Sequence, residues 1–265
     1  MALATLPGDA AAVERSEELA AFLAEVRIAA AAIPPRTIDV SIIVPVRDAL
    51  AATLACLASL LAAPSRYGFE ILIGDDASAP ATRRALASIG GPVRHIAHPE
   101  NLGFLLNCNA VAAVARGRHL VFLNNDTVVL PGWLDALIDT LEGDATIGVA
   151  GAKLLNGDGT LQEAGGIIWR DGSGWNLGRG QDPRAPEFNF VRETDYCSGA
   201  AFAVPAAVWR QLGGFDARYA PAYCEDSDFA FRARAAGFRV ERYGEIAGCP
   251  LIALTKRTPG PRPRI

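Results

Sequence analysis

Val40-Ser-Ile-Ile-Val-Pro-Val46 is a short apolar run rich in β-branched residues, the pattern of a strand buried on both faces. The same kind of run recurs at Phe69-Glu-Ile-Leu-Ile-Gly74, at Val93–Ala97, at His119-Leu-Val-Phe-Leu123 and at Ile147–Ala152. Helix-like stretches at 49–62, 80–89, 104–115 and 132–142 separate these runs. Strands alternating with helices at this spacing predict an α/β fold with a mostly parallel sheet.

Outward from this core the pattern changes on both sides. Residues 10–33 read as an Ala-rich helix with Leu19, Phe22, Leu23 and Val26 at helical spacing, stopped by Pro34-Pro35. It reads as an appendage spanning residues 1–37, either packed on the core or serving as an interaction arm. Residues 156–192 are rich in Gly, Asp, Asn, Trp and Arg and predict hairpins and long loops. A strand over 194–204, a short helix over 205–212, a helix over 225–236 and a last strand over 238–243 complete the main domain, 38–243. Residues 244–265 are expected to be a divergent, disordered tail, Pro- and Arg-rich from Thr255 onward.

Composition narrows the function. Half of the 265 residues are hydrophobic and a fifth charged, enough apolar matter for a sizeable core. The net charge is -4 with no basic stripe, which argues against nucleic acid as a partner. Five cysteines, Cys56, Cys108, Cys197, Cys224 and Cys249, have no C-x-x-C spacing. They read as scattered buried thiols of a cytoplasmic protein rather than zinc ligands or a disulfide framework. No signal peptide and no transmembrane run is recognised, so a membrane-bound acceptor would be reached from the aqueous side, at the cytoplasmic face.

Ligands of open α/β sheets bind outside the carboxyl ends of the strands. Three acidic clusters fall at such places. Asn124-Asn125-Asp126 follows one buried strand; Asp126 could hold a divalent cation that attracts a nucleoside diphosphate, or the three could be an Asn/Asp-rich turn. Asp75-Asp76 ends another strand; the pair could accept hydrogen bonds from a base or ribose, or cap the next helix together with Ser78. Glu225-Asp226 opens a late helix, where a carboxylate could act as a base on an acceptor hydroxyl or simply favour the helix N-terminus. Gly199 could let backbone approach a ligand. Trp175, in a Gly-rich loop, is the better sugar-stacking candidate, whereas Trp209 is expected in the core. His95, His98 and His119 lack metal-ligand spacing and are given no catalytic role.

These segments together resemble the family 2 glycosyltransferases of the GT-A fold, in the branch of rhamnosyltransferase-like and polysaccharide-biosynthesis enzymes. The stretches that carry the resemblance run from Val40–Val46 through Gly74-Asp-Asp-Ala-Ser78, Glu100-Asn-Leu-Gly-Phe104 with Asn107 and Asn109, and Phe122-Leu-Asn-Asn-Asp-Thr127. They continue through Gln162-Glu-Ala-Gly-Gly166, Cys197-Ser-Gly-Ala200, Leu212-Gly-Gly-Phe-Asp216 and Glu225-Asp-Ser-Asp-Phe229. No one motif is specific; their order and spacing are. The resemblance implies a Rossmann-like, mostly parallel central sheet with flanking helices and a smaller antiparallel acceptor-side portion. It implies a hexosyltransferase that moves a sugar from a nucleotide-sugar donor to a hydroxyl of a glycan or lipid-linked glycan, inverting the anomeric carbon. It would border the base with Pro45 and Val46, contact base or ribose with Asp75 and Asp76, and place Asn124 and Asn125 at the donor. Asp126 would be the main ligand of Mn²⁺ or Mg²⁺, and Asp226 the general base with Glu225 close by.

One departure stands out. Family members continue past the last strand with a His-containing segment that can help bind the metal, whereas here no His follows His119. An incomplete metal site is therefore expected, and with it the alternative of a catalytically impaired nucleotide-sugar or glycan-binding homologue. A nucleotidyltransferase would need a Gly-rich loop where Pro45-Val-Arg-Asp48 stands, and a dinucleotide-binding oxidoreductase would need G-x-G-x-x-G after an early strand.

Overall fold

A computed structural model of the chain describes residues 9–242 and 252–254. The first half alternates as the sequence predicts: α1 (Asp9–Ala32), β1 (Val40–Val46), α2 (Leu50–Ala62), β2 (Phe69–Asp75), α3 (Pro80–Ala87), β3 (Val93–Ala97), α4 (Gly103–Ala112) and β4 (His119–Leu123). The second half is less regular. It comprises β5 (Thr127–Val128), α5 (Trp133–Gly143), β6 (Ile147–Gly151), β7 (Leu154–Leu155), β8 (Leu161–Glu163), β9 (Gly166–Ile168), β10 (Gly174–Asn176), β11 (Arg192–Glu193), β12 (Ala201–Pro205), α6 (Ala206–Leu212), α7 (Glu225–Ala235), β13 (Arg239–Arg242) and β14 (Ile252–Leu254).

Eight strands form one sheet in the order β11-β13-β6-β12-β4-β1-β2-β3. β1 lies between β4 and β2 and is parallel to both, and β2 is parallel to β3. The register pairs Val46 with Asp75, so β1 and β2 end side by side. β12 is the exception inside the sheet: it runs antiparallel to both β4 and β6. That reversal brings the start of β12 to the carboxyl end of β4, a placement on which the site depends.

Strand alternation sorts the side chains onto two faces. Ile42, Val44, Ile71, Ile73, Val121 and Leu123 face one core, covered by α1, α2 and α5. Ile43, Leu72, Leu120 and Phe122 face the other, covered by α4, α6 and α7. In that second core Phe122 stacks on Phe202 at 4.9 Å and meets Trp209 at 4.5 Å. Trp209 thus lies in the core, as its place before Leu212 suggested. Removing a buried aromatic of this kind costs about 3–5 kcal/mol. α1 contributes Val26 and Ala30, both buried, to the first core, and Gly91 passes so close that a side chain there would meet the Ala30 carbonyl. Of the two readings of this helix, the described residues show the packed one. No helix among the described residues is long and apolar enough to cross a membrane.

Three expectations need revision. The single strand expected over 194–204 is broken: Ser198–Ala200 turn, with the Ala201 amide donating to the Ser198 carbonyl, and β12 starts only at Ala201. The apolar character of Cys197 to Val204 is real, but Glu163 and Asp226 capture the Ser198 and Gly199 amides, which therefore do not extend β12. Within 244–265, most residues lie outside those described, but Ile252–Leu254 is strand β14, antiparallel to β5 and parallel to β7 in a four-stranded sheet with β8. The stretch 156–192 forms the expected hairpins and loops, among them the two-stranded β9–β10 ribbon. Among the described cysteines all are free; Cys56, Cys108 and Cys197 are buried, whereas Cys224 is exposed. Cys224 departs from the expected burial because it precedes α7 in a left-handed conformation, φ 67°, on the outer surface of the turn. Cys249 lies outside the described residues.

Candidate active site

The carboxyl ends of β1, β2 and β4 form the floor of the site. Val46 is buried and Pro45 half-buried at the end of β1. Asp75 and Asp76 sit beside them, but both side chains turn into the protein. Asp75 is wholly buried and accepts from the Ser78 amide at 2.9 Å and from His95 Nε2 at 2.9 Å, with Arg83 Nε at 3.3 Å. Burial pushes its carboxyl up, yet the hydrogen bonds from Ser78 and His95 outweigh this and hold it below the usual carboxylate range. Asp76 accepts from the amides of Leu102 (2.6 Å) and Gly103 (3.0 Å), capping α4 across space. Asn107, on α4, donates to the Gly74 carbonyl at 2.8 Å; a side chain at Gly74 would strike it, which explains the glycine. Asn109 clamps Phe215, donating to its carbonyl (2.8 Å) and accepting from its amide (3.0 Å). Thus Asp76 and Asn107 tie α4 to the end of β2, while Asn109 ties it to the loop after α6.

The Asn124–Asp126 turn follows β4. Its backbone is set by the Thr127 hydroxyl, which donates to the Asn124 carbonyl at 2.6 Å, and Asn125 Nδ2 donates to Thr53 Oγ1 at 2.9 Å. Beneath it lies Cys56, with Sγ 3.7 Å from both the Asn124 carbonyl and Thr127 Oγ1. Burial, with a smaller push from Asp126, raises this thiol to about 12, so it remains a neutral packing group. Asp126 is half-buried. No group of three or more His, Cys, Asp or Glu side chains among the described residues is arranged to hold a metal. One carboxylate preceded by two asparagines does fit the sparse mode in which Mg²⁺ is held by one or two carboxylates, with substrate phosphates and water filling the other positions.

Asp226 lies in the first turn of α7. Its Oδ2 accepts the Gly199 amide at 2.9 Å, and its Oδ1 accepts the Ser227 amide at 2.7 Å. The Asn124 amide in turn donates to the carbonyl of Ala200 at 2.9 Å. Two adjacent residues, Gly199 and Ala200, therefore link Asp226 to the turn that carries Asp126. A Cβ on Gly199 would make only ordinary contacts with Asp226 and Phe104, so its backbone amide, not its lack of a side chain, is what the local structure uses. Glu225 is buried, with Oε2 unpartnered. Burial raises its carboxyl above the usual range and the Asp226 charge adds to this.

On the far side of Ser198–Ala200 stand residues that the sequence reading did not single out. Glu163 is buried and accepts the Ser198 amide at 3.2 Å. The Tyr196 ring lies against Gly166, where a Cβ would come within 2.0 Å of it. Their only signal in the sequence is position inside or beside the Gln162–Gly166 and Cys197–Ala200 motifs. Trp175 is on the β9–β10 ribbon, 63 % exposed, edge-to-face with Trp169 at 5.9 Å and 79°. The structure thus links Asp226 and Gly199 to the Asp126 turn, buries Glu225 next to Asp226, sets Pro45, Val46, Asp75 and Asp76 at the neighbouring strand ends, and puts Trp175 on the β9–β10 ribbon.

Comparison with known proteins bears on the family and the fold. The chain is 33% identical over 218 residues to the O-antigen biosynthesis protein RfbC of Myxococcus xanthus, covering 77% of the chain and 16% of that protein. The chain therefore spans about a sixth of the length of that relative. Among solved structures it resembles GalNAc-T7 with UDP, GalNAc and Mn²⁺ (TM-score 0.67, 16% identity, 84% of this chain and 45% of that one). It also resembles Staphylococcus aureus TarS with UDP-GlcNAc (TM-score 0.62, 17% identity, 84% of this chain and 60% of that one). At these identities the structural likeness speaks for the fold. Residues 41–203, from the second residue of β1 into β12, match the family model described as glycosyl transferase family 2, and the chain belongs to that family.

Proposed function

We propose that this chain transfers a hexosyl unit from a nucleotide-sugar donor to a hydroxyl of a glycan or lipid-linked glycan, inverting the anomeric carbon. The observation that carries the reading is the Gly199–Ala200 link, which joins the Asp226 carboxylate to the Asp126 turn at the carboxyl edge of the sheet. The nucleoside lies over the ends of β1 and β2, bordered by Pro45 and Val46, with Asp75 and Asp76 shaping the floor and Asn124 and Asn125 toward the diphosphate. Asp226 takes the proton of the acceptor hydroxyl as the new bond forms. The Gly199 and Ser227 amides orient its carboxylate and leave lone pairs for the acceptor. Asp126 would hold Mg²⁺ or Mn²⁺ against the donor phosphates, and such a cation neutralises charge on the departing diphosphate. A lipid-linked acceptor would be met at the cytoplasmic face of the membrane.

Two substitutions test this. Asp226→Asn should keep donor-dependent thermal stabilisation while lowering the transfer rate by about 10²–10⁴-fold, the usual contribution of a positioned base. Asp126→Ala should abolish the extra stabilisation that Mn²⁺ adds to UDP-, GDP- or dTDP-sugars, with the fold intact by circular dichroism. An unchanged rate in the first variant means another group is the base, and an unchanged Mn²⁺ effect in the second removes Asp126 from the metal site. Donor binding by the wild type with no turnover would make the chain a binding homologue.

A further inference from the structure

The β9–β10 ribbon carries two indoles into water, Trp169 at 50 % exposure and Trp175 at 63 %. Large apolar rings left outside a core call for an explanation when they are paired on a rigid support. The support here is closely hydrogen-bonded. The ribbon closes through the Trp169 amide to the Ser173 carbonyl (2.9 Å), and Asp171 Oδ1 accepts both the amide (2.9 Å) and the hydroxyl (2.7 Å) of Ser173. Its base is fastened to the segment that leads to Asp226. Gly166 exchanges backbone hydrogen bonds with Asp195 and Tyr196, the Tyr196 hydroxyl donates to Asn176 Oδ1 at 3.1 Å, and Asn176 pairs with Gly166. Tyr196 is three residues from Gly199, a reach of about 10 Å at most, and its phenol is raised by burial and by the charges of Glu163 and Asp226.

We propose that the Trp169–Trp175 pair is a saccharide-binding subsite on the acceptor side, so that the acceptor is a glycan already begun, held by a ring one or more units from the hydroxyl that reacts. The indoles meet at 79°, so their faces diverge and can serve two different rings. A pyranose offers an apolar C–H face to such a surface and hydroxyls to the polar groups beside it. Arg170 and Asp171, in the ribbon's own turn, cancel in charge, whereas anionic membrane attracts clusters of basic residues. The placement of the subsite relative to the reaction rests on the transferase reading; its affinity for saccharide does not.

The test uses the full chain on an array of bacterial surface oligosaccharides, with donor hydrolysis measured in parallel. The wild type should retain one or more oligosaccharides. Trp175→Ala and Trp169→Ala should each weaken that binding roughly tenfold or more, as loss of a stacked aromatic does. Trp175→Tyr should restore part of it. Failure of the wild type to retain any oligosaccharide, or equal retention by both Ala variants, overturns the proposal. So does indole quenching by phosphatidylglycerol vesicles without saccharide binding, which would make the ribbon a membrane contact. Saccharide binding that depends on the indoles, with no donor hydrolysis, would leave the subsite standing and bring down the transferase reading instead.

Discussion

Glu225 and Asp226 are neighbours in sequence with opposite surroundings. Asp226 accepts from two backbone amides, while Glu225 keeps a buried oxygen without a partner and a carboxyl raised by burial. The sign of the pH effect follows. A carboxyl with a raised native pKa favours the fold while protonated and opposes it once pH climbs through that pKa. Glu225→Gln is therefore expected to match the wild type in thermal stability at about pH 4 and to exceed it increasingly toward neutral pH. Differential scanning calorimetry across that range checks this, and a constant difference at all pH values would contradict it. A gain in stability together with a loss of transfer is what a residue retained for function gives. At this scale the sequence was only partly legible. The strand-end position of Asp75 and Asp76 could be read from the apolar run before them, but not that His95 and the amides of Ser78, Leu102 and Gly103 would capture their oxygens, because those partners arrive through the fold.

The helix α4 shows what one such capture does. Its cap residue, Leu102, offers no side-chain oxygen, and Asp76 supplies both oxygens from the end of β2 instead. Asp76→Ala should destabilise the protein by about 1–2 kcal/mol, as loss of a cap does. Because Asn107 on the same helix holds the Gly74 carbonyl, donor affinity should fall with it. Urea titration and a donor thermal shift measure the two effects; a stability loss without a donor effect would uncouple α4 from the donor floor. Among elements, the alternating first half was legible because each buried strand announces itself by a β-branched run and each helix by its period. After Gly151 the helices α6 and α7 and the strand β13 were legible in the same way, but the break within 194–204 was not. Whether Thr194–Val204 is one strand or two depends on Glu163 and Asp226 taking the Ser198 and Gly199 amides. Those contacts lie 35 and 27 positions away in the chain, beyond any local pattern.

Across the whole molecule, α1 closes one face of the sheet. Truncation before Ile33 uncovers the surface now held by Val26 and Ala30 and should lower the unfolding free energy by about 2 kcal/mol or more, the worth of one large aliphatic side chain. A denaturation midpoint unchanged by truncation would make the helix a free arm after all. The family and the sheet could be read from the order of motifs, whereas the placement of β12 between β4 and β6 could not, since antiparallel entry into a parallel sheet leaves no mark in composition. A third, small core lies apart from the other two: Leu155, Leu161, Ala164 and Phe188 pack together beneath the 156–192 loops. That partition gives evolution a divided workspace. If the proposed function holds, substitutions in the loops over the small core can alter acceptor choice while the two large cores go on holding the strand ends over which the donor is proposed to lie.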